Sequence, residues 1–263
     1  MNDRLAPWRS APGSAGVLTD FDGTLAPIVD DPEAARPLDG VAPVLARLGL
    51  QYRVVAVVSG RPVAYLFDRL GSPQGVTLVG LYGLEKGASG AIEVAPDAAR
   101  WRGTVAEVAE AAEREAPPGV YVERKGLTVG LHVRRAPEHA GWIAAWAEQQ
   151  ASRTGLVVRS GRMTQELLPP IDTDKGAVAT GLARDLRAVC YVGDDVADLA
   201  AFAALSRMAK RGVATLSVAV RSAEVPAALL DQADMVVDGP EGALGFLTRL
   251  ATLSDPDDGD RGR

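Results

Sequence analysis

The chain has little positive charge to spare. It holds 28 Lys and Arg against 34 Asp and Glu, a formal net charge of −6, so it lacks the basic excess that a nucleic acid or an anionic membrane surface selects. A small-molecule partner is expected instead. It also lacks any apolar run long enough to span a bilayer, and MNDRLAPWRS has no apolar stretch of the kind that directs secretion. A cytoplasmic, monomeric protein is therefore expected. Cysteine is nearly absent: Cys190, the single one, cannot form an internal disulfide, and its setting AVCYV marks it as a core residue. With those classes set aside, a chain of 263 residues that is 47% hydrophobic must rest on an ordinary buried core, in one large domain or two smaller ones.

Apolar strands alternating with helices are what the chain does have. VLTDFD, RVVAVVSG and VTLVGLYG are strand candidates separated by the helix candidates VAPVLARLGL and PVAYLFDRLG. The rhythm returns with KGAVATGLARDL, AVCYVGDD, ADLAAFAALSRMAKRG, TLSVAV, VPAALLDQA, DMVVDG and EGALGFLTRL. Continuous apolar strands of this kind suit an α/β fold with a parallel sheet covered on both faces. Residues 98–169 break the rhythm. There a long helix near 101–115 precedes the alternating hairpin YVERKGLTVGLHVRR, and a second helix near GWIAAWAEQQASRTG leads into VVRSGRMTQELLP, with a reversal expected at Ser160-Gly161. The expected organisation is a core of residues 1–97 and 170–253, an α+β insertion at 98–169, and a disordered polar tail at 254–263.

The polar residues of the core fall at strand ends. Ligands of open parallel sheets bind outside the carboxyl ends of the strands. VLTDFD ends in Asp20 and Asp22, VVAVVSG in Ser59, and AVCYVGDD in Asp194 and Asp195, with Asp198 beyond. One Asp-Gly alone would be read as a turn. Two acidic clusters on one sheet edge are different, because like charges about 4 Å apart repel by roughly 4 kcal/mol at an effective dielectric of about 20. Protonation or a bound cation must relieve that. Oxygen ligands without His or Cys select a hard cation, and few carboxylates completed by water suit Mg²⁺, which in turn suggests a phosphate substrate. Lys175 opens a helix behind an N-cap at Thr173 or Asp174, where a cation opposes the helix dipole; an anion to be met there explains its place. On the insertion, Glu123, Lys125, His132, Arg134, Arg162 and Glu166 share the polar sheet face, which suits sugar hydroxyls or a solvated face with ion pairs.

DFDGTLAPI, VVSGR, DKG and VGDDVAD, in this order, resemble the four motifs of the haloacid dehalogenase superfamily. Together with YVERKG, LHVRR, QELLPP and GDDVADLAAF they resemble its trehalose-6-phosphate phosphatase family. The resemblance implies a Rossmann-like parallel-sheet core with an α+β cap inserted after the third strand. It implies Asp20 as nucleophile, Asp22 as general acid and base, Ser59 and Lys175 as holders of the phosphoryl oxygens, and Thr24, Gly60 and Arg61 in substrate binding. It assigns Mg²⁺ to Asp20, the main-chain carbonyl of Asp22 and Asp194, with Asp195 and Asp198 orienting them, and sugar contacts to Glu123, Lys125 and Glu166, beside His132 and Arg134. Two departures stand out: Leu81-Tyr82-Gly83 where the family often has His-Gly, and Ala197 and Leu199 in the last motif. Phosphatases of other sugar phosphates, or a silent sugar-phosphate sensor, share most of these features.

Overall fold

The computed structural model describes residues 4–29, 31–161 and 163–253; the expected disordered tail and Arg162 lie outside the described residues. The chain opens with α1 (Ala6–Ser10), β1 (Ala15–Thr19), α2 (Val41–Gln51), β2 (Val54–Val58), α3 (Val63–Leu70) and β3 (Val76–Gly80). Two further strands, β4 (Glu85–Ala88) and β5 (Ala91–Val94), then add an antiparallel hairpin to the sheet edge before the chain leaves the core through α4 (Pro96–Ala99). The insertion therefore follows a fifth strand rather than the third. EKGASGAIEV is too charged and too small in side chain to read as a strand, because an exposed edge asks for neither apolar alternation nor β-branched bulk.

The insertion carries α5 (Arg102–Glu115), β6 (Tyr121–Arg124), β7 (Val129–His132), α6 (Ala140–Thr154), β8 (Val157–Gly161) and β9 (Thr164–Leu168), with its antiparallel sheet in the order β6-β7-β9-β8. Its apolar face, Val129, Leu131, Val133 and Leu167, packs on Val105, Val108, Ile143 and Trp146 of the two helices. Each such side chain, once fully buried, contributes about 1.5–3 kcal/mol. The opposite face is thereby turned toward the core. The second hairpin pairs Ser160 with Gln165 and Gly161 with Thr164, so the expected reversal at Ser160-Gly161 lies within β8 instead.

The chain returns through α7 (Lys175–Leu182), β10 (Ala188–Gly193), α8 (Asp198–Ala209), β11 (Ala214–Arg221), α9 (Ala227–Gln232), β12 (Met235–Asp238) and α10 (Gly239–Thr252). The core sheet runs β12-β11-β10-β1-β2-β3-β4-β5, parallel from β12 to β3. Alternate residues feed the two faces: Val17, Cys190 and Val218 pack with α2 and α10, while Leu18, Tyr191 and Ala219 pack with α8. Cys190 is buried in the core, and the apolar surroundings push its thiol up to about 12. β1 lies between β10 and β2, with Thr19 level with Val192 and Val57, so the motif-bearing strand ends are neighbours. No helix among the described residues is long and apolar enough to cross a membrane.

Candidate active site

Just past the ends of β1 and β10, oxygens of Asp20, Asp194 and Asp198 lie within 4.8 Å of one another, all three residues buried. Their geometry follows from the backbone. Asp20 donates its amide to Val192 at 2.8 Å, which fixes the carboxylate beside β10. Gly23 turns the chain with φ +78°, and a Cβ there would stand 2.0 Å from Asp194 Oδ2, so only glycine lets the two loops meet. Thr24 donates its hydroxyl to Asp194 Oδ1 at 3.1 Å, while its amide is turned to Phe21 O at 3.4 Å. Thr24 thus holds Asp194 and is not among the residues lining the cavity described below.

The three carboxylates differ in what remains open to a ligand. Asp198 is saturated: Oδ1 accepts from Lys175 Nζ at 2.7 Å and Tyr191 Oη at 2.8 Å, and Oδ2 accepts from the amides of Asp194 and Asp195, both at 3.0 Å. Asp198 positions its neighbours, and the oxygens left for a cation belong to Asp20 and Asp194. Burial, then mutual repulsion with Asp198, drives both Asp20 and Asp194 far above the usual carboxylate range, with Lys175 pulling the other way. Three carboxylates faced by one ammonium are short of positive charge, which is the condition a hard divalent cation fits. Lys175 itself stays charged: burial works against its ammonium, but Asp198 and Asp20 outweigh it, and Nζ stands 2.7 Å from Asp20 Oδ1. Asp174 caps its helix by accepting from the Ala177 amide at 2.7 Å, as the sequence predicts for one of its two candidates.

Asp22 and Asp195 stand apart from this cluster. Asp22 is held in a bidentate fork by Arg61, Nε to Oδ2 at 2.8 Å and Nη2 to Oδ1 at 2.9 Å. Asp195 accepts from the Val196 amide at 2.6 Å at the altered start of α8. Arg61 also reaches across to the insertion, Nη1 to Glu123 Oε1 at 3.3 Å, and its guanidinium lies 4.6 Å over the Tyr65 ring. Its amide donates to Ser59 Oγ at 3.1 Å.

On the facing sheet, Glu123 accepts from His132 Nε2 at 2.7 Å and lies 3.5 Å from Lys125, which donates to Glu166 at 3.2 Å and to the Gly60 carbonyl at 3.5 Å. Thr128 donates to the same Glu166 oxygen at 2.6 Å. Burial alone would raise Glu123, but the His132 hydrogen bond and the charges of Lys125, His132 and Arg61 bring it down to about 2. Arg134 is occupied by Glu224 of the core at 3.1 and 3.2 Å, so it forms part of a rim that ties the two sheets together. Between them lies a cavity of about 350 Å³, lined by Asp20, Asp22, Ser59, Gly60, Arg61 and Lys175 below and by Glu123, Lys125, His132, Arg134 and Glu166 above. Residues singled out on both sheets from the sequence alone meet here. Glu224 at the rim and Tyr191, which donates to Asp198 beneath the floor, are additions; a lone Tyr in the aliphatic run of β10 is the only sequence signal for the second.

Residues 18–234 match the family model for trehalose-phosphatase. The chain belongs to the trehalose-phosphatase family. It is 36% identical over 256 residues to a trehalose-phosphate phosphatase of Mycobacterium avium, covering 92% of this chain and 64% of that one. A Mycobacterium marinum trehalose-phosphate phosphatase is 40% identical over 200 residues, 72% of this chain and 51% of that one. The chain thus spans less than two thirds of the length of either relative. The C-terminal domain of C. albicans trehalose-6-phosphate phosphatase shares the fold, with a TM-score of 0.74 at 23% identity over 95% of this chain and 96% of that one.

Proposed function

We propose that this trehalose-phosphatase family member is a Mg²⁺-dependent phosphatase that hydrolyses trehalose 6-phosphate through an aspartyl-phosphate on Asp20. The observation that carries this reading is the Asp20–Lys175 contact of 2.7 Å on the floor of a cavity roofed by the Glu123–Lys125–Glu166 network. An Asp20 oxygen attacks phosphorus in line as the P–O bond to the sugar breaks, and Lys175 and Ser59 hold the phosphoryl oxygens. A sugar alkoxide is a poor leaving group and needs a proton, which Asp22 supplies before it takes one from the water that hydrolyses the acyl phosphate. The Arg61 fork occupies both Asp22 oxygens, so the pair has to open at one of them for Asp22 to carry that proton. A cation held by Asp20, Asp194 and the Asp22 carbonyl would neutralise the cluster and polarise the phosphoryl group. Residues 98–169 act as a cap on hinges near 95–98 and 168–171, and its paired Glu and Lys side chains exchange partners for sugar hydroxyls.

Phosphate release from a panel of trehalose 6-phosphate, sucrose phosphate and mannosylglycerate phosphate, with Mg²⁺ or EDTA, tests this reading. Trehalose 6-phosphate is expected to turn over best, EDTA to stop turnover, and Asp20→Asn to lose about 10³-fold or more because a neutral amide does not attack phosphorus. Faster turnover of another sugar phosphate removes the trehalose assignment and spares the mechanism. No turnover of any of them removes both.

A further inference from the structure

Tyr82 stands where the sequence departs from the family's usual His-Gly, on a backbone that few side chains adopt. Leu81 and Tyr82 both have positive φ, +48° and +58°, the left-handed region that favours glycine. Two consecutive non-glycine residues are rarely held there, and such strain persists only where the surroundings over-determine it. Here they do. The Tyr82 amide donates to the Ser59 carbonyl at 3.0 Å, the Leu81 amide to the Arg61 carbonyl at 3.0 Å, and Thr173 Oγ1 donates to the Tyr82 carbonyl at 2.8 Å. The turn is thus tied to the loop after β2 on one side and to the entry of α7 on the other.

The ring is clamped as firmly as its backbone. The Arg159 guanidinium of the cap lies 4.0 Å over the ring, with Nη2 donating to the Thr173 carbonyl at 2.8 Å. Arg159 Nη1 is buried without a hydrogen-bond partner among the described residues, which leaves the ring face as its compensation. At the other end, a Cβ on Gly60 would stand 2.6 Å from Tyr82 Oη, so glycine in the Ser59-Gly60-Arg61 loop makes the room the phenol fills. Tyr82 lines the cavity with Gly60, Lys125, Glu166 and Lys175 around it. Its neighbours in the cavity wall, Lys125 and Glu166, pair with each other at 3.2 Å. Burial, then the Glu166 charge, holds it well above the usual tyrosine range, against Lys125, Lys175 and Arg159, so it remains a neutral donor.

We infer that Tyr82 is a substrate-contacting residue whose phenol donates a hydrogen bond to a hydroxyl of the leaving sugar, making it a specificity determinant for sugar phosphates over simple phosphate esters. This rests on the sugar-phosphatase reading above. A rigid, pre-placed donor loses little entropy on binding, which accounts for strain being kept at this position.

The test is Tyr82→Phe, which keeps ring, stack and backbone and removes only the hydroxyl. One hydrogen bond to a neutral partner corresponds to roughly a tenfold loss in kcat/KM for trehalose 6-phosphate. We expect that loss mainly in KM, and at least fivefold more of it than with p-nitrophenyl phosphate. Trehalose titrated into Asp20→Asn with and without Tyr82→Phe should show the same weakening, with thermal midpoints unchanged by the hydroxyl. Equal losses on both esters, a loss confined to kcat, or undiminished trehalose binding overturns the inference. If the wild type prefers another sugar phosphate, the trehalose assignment fails, and the same ratio measured on that ester still decides Tyr82.

Discussion

The floor and the roof of the cavity are built from the same side-chain types and reach opposite electrostatic states. On the floor, Asp20, Asp194 and Asp198 face Lys175 alone, and burial with mutual repulsion pushes Asp20 and Asp194 strongly upward. On the roof, Glu123 and Glu166 meet Lys125, His132 and Arg61, and Glu123 is brought down to about 2. Burial is common to both; the count of cations against carboxylates differs. A site short of positive charge suits a cation and an anion it can hold, whereas a balanced network suits a neutral polyol that would replace one set of hydrogen bonds with another.

The comparison breaks first at Asp198. In Asp198→Asn the amide NH₂ has to face either the Lys175 and Tyr191 donors or the amides of Asp194 and Asp195, so donors oppose donors on one side. Removing a partner from a buried charge pair costs about 3–5 kcal/mol, and denaturant unfolding should show a loss in that range with activity falling alongside. A loss under about 1 kcal/mol would mean that Asp198 does not organise the floor.

The roof is sharpened by pH. The folded-state value of Glu123 lies below its unfolded value, so its ionisation contributes stability above about pH 4.5 that is lost as pH falls toward 2. The shift corresponds to a contribution on the order of 3 kcal/mol at most. The stability difference between wild type and Glu123→Gln is therefore expected to shrink over that window, in urea melts at stepped pH. A difference flat between pH 6 and pH 2 would contradict the charge balance assigned to the roof.

A smaller effect is expected if the floor holds a metal. A ligand that binds only the folded state at a hundred times its Kd adds about 2.7 kcal/mol, so Mg²⁺ should raise the thermal midpoint of the wild type by several degrees. Asp194→Asn, which keeps shape but removes charge, should abolish most of that rise. An equal rise in both would move the cation elsewhere.

The floor was legible in the sequence because charge at the end of an apolar strand is conspicuous. Asp20, Ser59 and Asp194 follow runs of Val, Leu and Ala, and parallel neighbours put such ends together. The roof was legible only in part. Period-two alternation gave the polar face of β6 and β7, but the partners that decide what each residue does come from far away in the chain. Arg134 is met by Glu224, and Arg61 by both Asp22 and Glu123, so residues read as free substrate ligands are already engaged. The edge hairpin was missed for a related reason. The buried Glu85 carboxylate accepts from the Val63 amide at 2.8 Å, a helix start satisfied by a strand no local pattern points to.

The division of labour between floor and roof is tested most directly by measuring kcat/KM of Asp20→Asn and Glu123→Ala on trehalose 6-phosphate and on p-nitrophenyl phosphate. Asp20→Asn should lose both activities by similar, large factors. Glu123→Ala should lose trehalose 6-phosphate turnover far more than p-nitrophenyl phosphate turnover, because only the sugar ester reaches the roof. Equal losses on the two esters in Glu123→Ala would contradict a roof that reads the sugar.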